Sequence, residues 1–162
     1  MGVAGVTGTP GEATVPAAVR AALEGRPVVG ELDQAFLLLT VDGTGAVDAC
    51  LLSRTEVEAR DRAIRVVVAG TRVRRNLRAS GKATLVAVAG NAAHVLALEL
   101  RRTIEDDGAL AAELGVVRAT RDDAGVELEP LRFRVDERLR DDERWDRTAA
   151  LLGRLDREGL SP

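Results

Sequence analysis

Aromatic residues are almost missing from this chain of 162 residues: there is no tyrosine, one tryptophan and two phenylalanines. A core must therefore be assembled from Ala, Val and Leu. The single cysteine, Cys50, excludes an intrachain disulfide and fits a reducing compartment. With His94 as the only histidine, no His/Cys metal cluster can be built from one copy of the chain. No apolar run approaches the roughly 20 residues that cross a bilayer, and residues 1–10 lack the basic and apolar regions of a secretory signal. These absences lead us to expect a cytoplasmic protein with no membrane partner. No G-x-x-x-x-G-K-[ST] loop, dinucleotide fingerprint or G-x-S-x-G elbow is found. The formal net charge of -3 and a pI near 5.3 argue against a nucleic-acid partner.

What is present is one ordinary domain's worth of chain, 46% hydrophobic and 30% charged. All but one of its 23 basic residues are arginine, the exception being Lys82. Protein side chains alone offer little chemistry here, so the chain either borrows a cofactor or is not an enzyme. Residues 1–13, rich in Gly, Thr and Pro, read as a flexible tail, leaving 14–162 as a single domain with a C-terminal helix.

Pro16 opens a short helix over 17–23, which Gly25 stops. Apolar runs at 35–41 and 46–52 flank Asp42-Gly43-Thr44-Gly45, a hairpin signature. The polar stretch 54–62 carries the chain across, and β-branched 63–69 is a further strand. A helix follows over 72–80, with Thr71 as N-cap and Val73 and Leu77 on one face. Strands at 82–89 and 93–100 are joined by Gly90-Asn91. Residues 107–120 fit either helix or strand, 126–135 alternates as a last strand, and 141–155 is a helix with Trp145, Leu152 and Leu155 inward. The sum is a mainly β fold, a six-stranded antiparallel barrel with peripheral helices.

Gly70-Thr71-Arg72 places backbone N–H groups, a hydroxyl and a guanidinium at one helix N-terminus, a ready anion site. Arg72 and Arg75, three apart, can aim at one phosphate. An exposed, solvated basic helix is the other reading of the same residues.

Three pieces in order carry a resemblance: Thr40-Val41-Asp42 with Gly45, then Arg72-Val73-Arg74-Arg75-Asn76-Leu77, then Lys82 opening the next strand. The segment 35–100 resembles the pyridoxamine 5'-phosphate oxidase-like family of FMN-binding split barrels. That likeness implies an FMN-binding protein acting as a flavin-dependent oxidoreductase, with F420 as an alternative cofactor. It also implies a homodimer with the flavin cleft at its interface. The flavin ring would lie along Leu51, Leu52 and Ser53 and along Val67, Val68 and Ala69, its phosphate at Thr71, Arg72, Arg75 and Asn76. Arg101 and Arg102 would serve an F420 tail. The chain departs from the family pattern at Val73, at Glu99 where a glycine is common, and in its lack of aromatics. A dimeric binding or regulatory protein without a cofactor is the alternative from another class.

Overall fold

A computed structural model describes residues 13–158. The reading of 1–13 as a tail therefore lies outside the described residues except for Ala13, whose N–H donates to the Val116 carbonyl.

Seven strands form one antiparallel sheet: β2 (Phe36–Val41), β3 (Val47–Leu52), β4 (Val57–Ala59), β5 (Ala63–Val68), β6 (Lys82–Ala89), β7 (Ala92–Asp106) and β8 (Ala109–Asp123). Their order is β3-β2-β6-β7-β8-β5-β4. The two edge strands, β3 and β4, are consecutive in the chain, so the sheet curls on itself into the split-barrel form. The mainly β reading holds, with seven strands in the sheet rather than six.

Turn chemistry fixes the hairpins. Asp42 Oδ1 accepts from Thr44 N–H, Thr44 Oγ1 and Ala46 N–H at 2.6–3.0 Å, while Gly45 takes φ 87°. Gly90 takes φ 63° at the β6–β7 turn. The polar crossing 54–62 contains β4, which pairs with β5.

The inward side of the curl holds Leu38, Ile64, Val66, Leu85, Leu96 and Leu114. Helix α1 (Ala17–Leu23) closes it with Val19 and Leu23, as proline at position 16 leads one to expect. Helix α2 (Thr71–Ser80) caps another side with Val73 and Leu77. Its end is set by Gly81, φ 65°, whose N–H donates to the Leu77 carbonyl at 2.9 Å. The N-cap is Gly70, not Thr71, which is the first helical residue.

Two sequence expectations are corrected, and one left open is settled. The ambiguous 107–120 is strand: β8 pairs with both β7 and β5, and that ladder overrides the helical preference of its Ala, Leu and Glu. The last strand predicted at 126–135 shrinks to β9 (Arg132–Arg134), paired outside the main sheet with β1 (Leu32–Gln34), a strand not predicted. Pro130 lacks an N–H for a ladder, and Leu128 N–H instead donates to Gly90 O. The helix over 141–155 is two helices, α3 (Glu137–Asp142) and α4 (Trp145–Glu158), broken where Arg144 takes φ 46°. Leu151, Leu152 and Leu155 of α4 pack on Val67, Ile104 and Ala111, on the outward side of the sheet. Strand β5 is thereby buried on both faces, which is why its sequence is a nearly unbroken apolar run.

Candidate functional site

The strand–turn–helix over 67–76 brings the predicted anion-binding residues to one end of α2. Thr71 is exposed. Arg72 is 79% exposed, and Arg75 is exposed without an ion pair among the described residues. Backbone N–H groups, a hydroxyl and the Arg75 guanidinium are thus free to meet an anion, with the exposed Arg72 beside them.

An acidic group shares this corner. Asp48, on the inward side of β3 and largely buried, approaches Arg72 Nη1 at 3.8 Å through Oδ1. Its Oδ2 accepts from Asn76 Nδ2 at 2.9 Å, and the same Asn76 nitrogen donates to Thr40 Oγ1 at 3.1 Å. Asn76 is buried, and its amide nitrogen ties α2 to the β2–β3 hairpin. Nothing in a strand pattern marks Asp48; only the ladder, which sets it opposite Thr40, brings it under the helix.

The residues predicted along the flavin ring divide. Leu51 points outward and is 59% exposed, whereas Leu52 and Ser53 are buried. Val68 belongs to the inner core, Val67 packs beneath α4, and Ala69 is exposed. Ser53 is committed inside the protein. Its N–H donates to Glu56 Oε2 at 2.9 Å, and its Oγ lies 2.6 Å from Thr55 Oγ1 and 3.0 Å from Glu143 Oε2. Cys50 is half-buried, its thiol pushed up to about 11 by burial and then by Glu56, so it stays a protonated small hydrophobe.

The outward side of β3-β2-β6-β7 is apolar where a lone barrel would be polar. Leu37 stands opposite Leu51 and Val86, Leu39 opposite Ala49, Val41 opposite Val47, and Val86 opposite Val95. Val47 is 63% exposed and Val41 48%. A cleft of about 1270 Å³ runs over part of this side, lined by Leu39, Val41, Val47, Lys82, Ala97 and Arg118 among others. None of the predicted site residues lines it. It reads as uncovered sheet surface more than as an enclosed ligand cavity.

His94 also reaches that cleft, but from the buried side of β7, with Nδ1 buried and unpartnered. Burial and then Arg121 hold its pKa below the ordinary histidine value, so the imidazole is neutral at pH 7. Of the two arginines considered for a polyanionic tail, Arg102 is paired with Glu113 at 2.9 Å. Arg101 sits at an irregularity of the β7–β8 ladder and lies over Gly115, where an added Cβ would come within 2.4 Å of its Nε. No helix of the described residues is long and apolar enough to cross a membrane.

No protein-family model matches the chain, and no curated protein matches it. Solved structures do. An F420 reductase superposes with a TM-score of 0.50 at 10% identity, covering 65% of this chain and 98% of that one. An FMN-binding protein from Syntrophomonas wolfei subsp. wolfei matches at TM-score 0.46 and 14% identity, over 63% and 83% of the two chains. A Clostridium acetobutylicum protein of the pyridoxinephosphate oxidase family matches at TM-score 0.46 and 15% identity, over 65% and 88%. Identities this low speak to architecture alone: at a TM-score of 0.50 the chain shares its fold, a curled antiparallel sheet of the split-barrel form, with the F420 reductase.

Proposed function

We propose that this chain is a flavin-binding split-barrel protein, with FMN as cofactor and flavin-dependent oxidoreduction as its activity, working as a homodimer. The observation that carries the cofactor reading is the exposed N-terminal end of α2 behind strand β5, where Thr71 and Arg75 are exposed and Arg72 is 79% exposed despite its 3.8 Å approach to Asp48. These groups fit a phosphate. When bound, a flavin supplies the electron-accepting chemistry; the chain's part is to anchor the phosphate, orient the ring and keep water from it.

The fit is uneven, which gives the second reading its footing. Asp48 beside Arg72 opposes an anion, while Asn76 and Ser53 spend hydrogen bonds on internal partners. That favours a dimeric binding protein whose cofactor site has been altered. F420 is the less favoured cofactor, because Arg102 is already paired.

The homodimer is supported by the apolar outward side of β3-β2-β6-β7, which a second copy would cover about a two-fold axis.

The deciding experiment adds FMN to the purified protein and follows the flavin spectrum through gel filtration. Co-elution is expected, lost in the Arg72→Ala/Arg75→Ala double variant. Asp48→Asn keeps an oxygen for Asn76 and removes the opposing charge, so it is expected to tighten FMN binding by about tenfold. Failure of wild type and Asp48→Asn alike to retain flavin would leave the cofactor-free reading standing.

A further inference from the structure

The α3–α4 corner is fastened to the β3–β4 loop by the Glu143 carboxylate, beside a second carboxylate of the loop itself, Glu56, and no cation pairs with either among the described residues. Ser53 bridges them, giving its N–H to Glu56 Oε2 at 2.9 Å and its Oγ to Glu143 Oε2 at 3.0 Å. Thr55 Oγ1 and Trp145 Nε1 also donate to Glu143 Oε2, at 3.1 and 2.6 Å. The groups facing Glu56 are Cys50 from β3, Ser53 from its own loop, and Glu143 from the helix corner. In a chain rich in Arg–carboxylate pairs, neither Glu56 nor Glu143 makes an ion pair among the described residues. The compensation shown is hydrogen bonding, and Oε2 of Glu143 is shared by both hydroxyls of the loop, Ser53 and Thr55.

The corner is also the weakly built part of the segment. Arg144 holds φ 46°, a conformation unfavourable for a side chain with a Cβ. Helix α3 buries no residue. The far end of α4 is anchored differently, by Leu155 in its apolar cluster and by Asp156 on Arg65 at 2.6 Å.

We infer that Glu56 and Glu143 form a proton-operated latch: with Glu56 neutral the α3–α4 corner stays on the Ser53–Thr55 loop, and loss of the Glu56 proton releases the corner while the far end of α4 stays docked. Burial first, and then the Glu143 charge, push the Glu56 carboxyl up to about 7, which places the release in the neutral range. Above that pH two carboxylates face each other in a half-buried site, and the corner can relieve their repulsion by swinging into water.

Trp145, the only tryptophan, reports the latch directly. The experiment follows its emission maximum and its quenching by acrylamide in the full-length protein between pH 5.5 and 8.5, with far-UV circular dichroism as the check on folding. Wild type is expected to pass through a one-proton transition near pH 7, red-shifted and more easily quenched on the alkaline side. Glu56→Gln is expected to hold the low-pH signal throughout. Glu143→Gln is expected to move the midpoint down by about one pH unit, since the neighbouring charge is gone. A flat wild-type profile overturns the latch, as does a Glu56→Gln variant that titrates with the wild-type midpoint. Should Glu56→Gln not reach the folded state, the Glu143→Gln midpoint decides: a shift supports the pair, an unchanged value refutes it.

Discussion

Asn76 shows how one side chain can be drawn to a functional motif for a structural reason. It sits inside the basic helix motif, yet its nitrogen joins Thr40 and Asp48 beneath the helix. Replacing it with alanine leaves two partners short of a bond in a buried place, and a loss of about 2–3 kcal/mol is expected in urea unfolding. Glu56 acts on stability through pH. Its carboxyl is raised from 4.5 to about 7 on folding, so the folded state holds the proton more tightly than the unfolded chain. Its contribution is therefore full below pH 4.5 and is lost as pH rises to about 7. Urea midpoints at pH 5 and pH 8 check this: the higher value is expected at pH 5, with the gap reduced in Glu56→Gln.

Helix α4 depends on two attachments of different character. Its leucines lie on Val67 and Ala111, and Asp156 meets the buried guanidinium of Arg65, which also holds Glu113 at 2.7 Å. Arg65→Met removes the cation but leaves Glu113 its bond to Arg102 and Asp156 its exposure to water, so the loss is expected to be about 2 kcal/mol rather than the larger value for an isolated buried charge. Asp156 is held below the usual aspartate range by its hydrogen bond to Arg65. A depressed acid contributes above its unfolded value and loses that contribution as pH falls through its folded value. Acid, on the wild type, is thus expected to loosen the far end of α4 first below about pH 4, seen as amide exchange in residues 151–158.

Viewed as a whole molecule, the curled sheet is covered on its inner side by α1 and α2 and on part of its outer side by α4. The remaining outer side of β3-β2-β6-β7 is the apolar one. Leu51→Asp and Val47→Asp, both at well-exposed positions, are expected to leave the barrel folded and to convert a dimer to a monomer in sedimentation at micromolar concentration. A wild-type monomer at that concentration would instead mean that this apolar side is covered in some other way.

Local patterns in the sequence determined much of this architecture. Asp42 to Gly45 and Gly90-Asn91 specify their turns by backbone chemistry that needs no distant partner, and the strands beside them lie within a residue of their expected bounds, except that β7 runs on to Asp106 instead of stopping at 100. The helix of 71–80 is likewise written in Val73, Leu77 and Gly81. Only the tertiary structure decided the rest. Residues 109–123 became strand because β5 and β7 flank them, and the last helix breaks at Arg144, where Glu143 meets the hydroxyls of Ser53 and Thr55. Asp48 entered the candidate site because ladder register, not sequence spacing, set it under α2. Periodicity reports which face of an element is apolar; which distant group meets that face is settled when the elements pack.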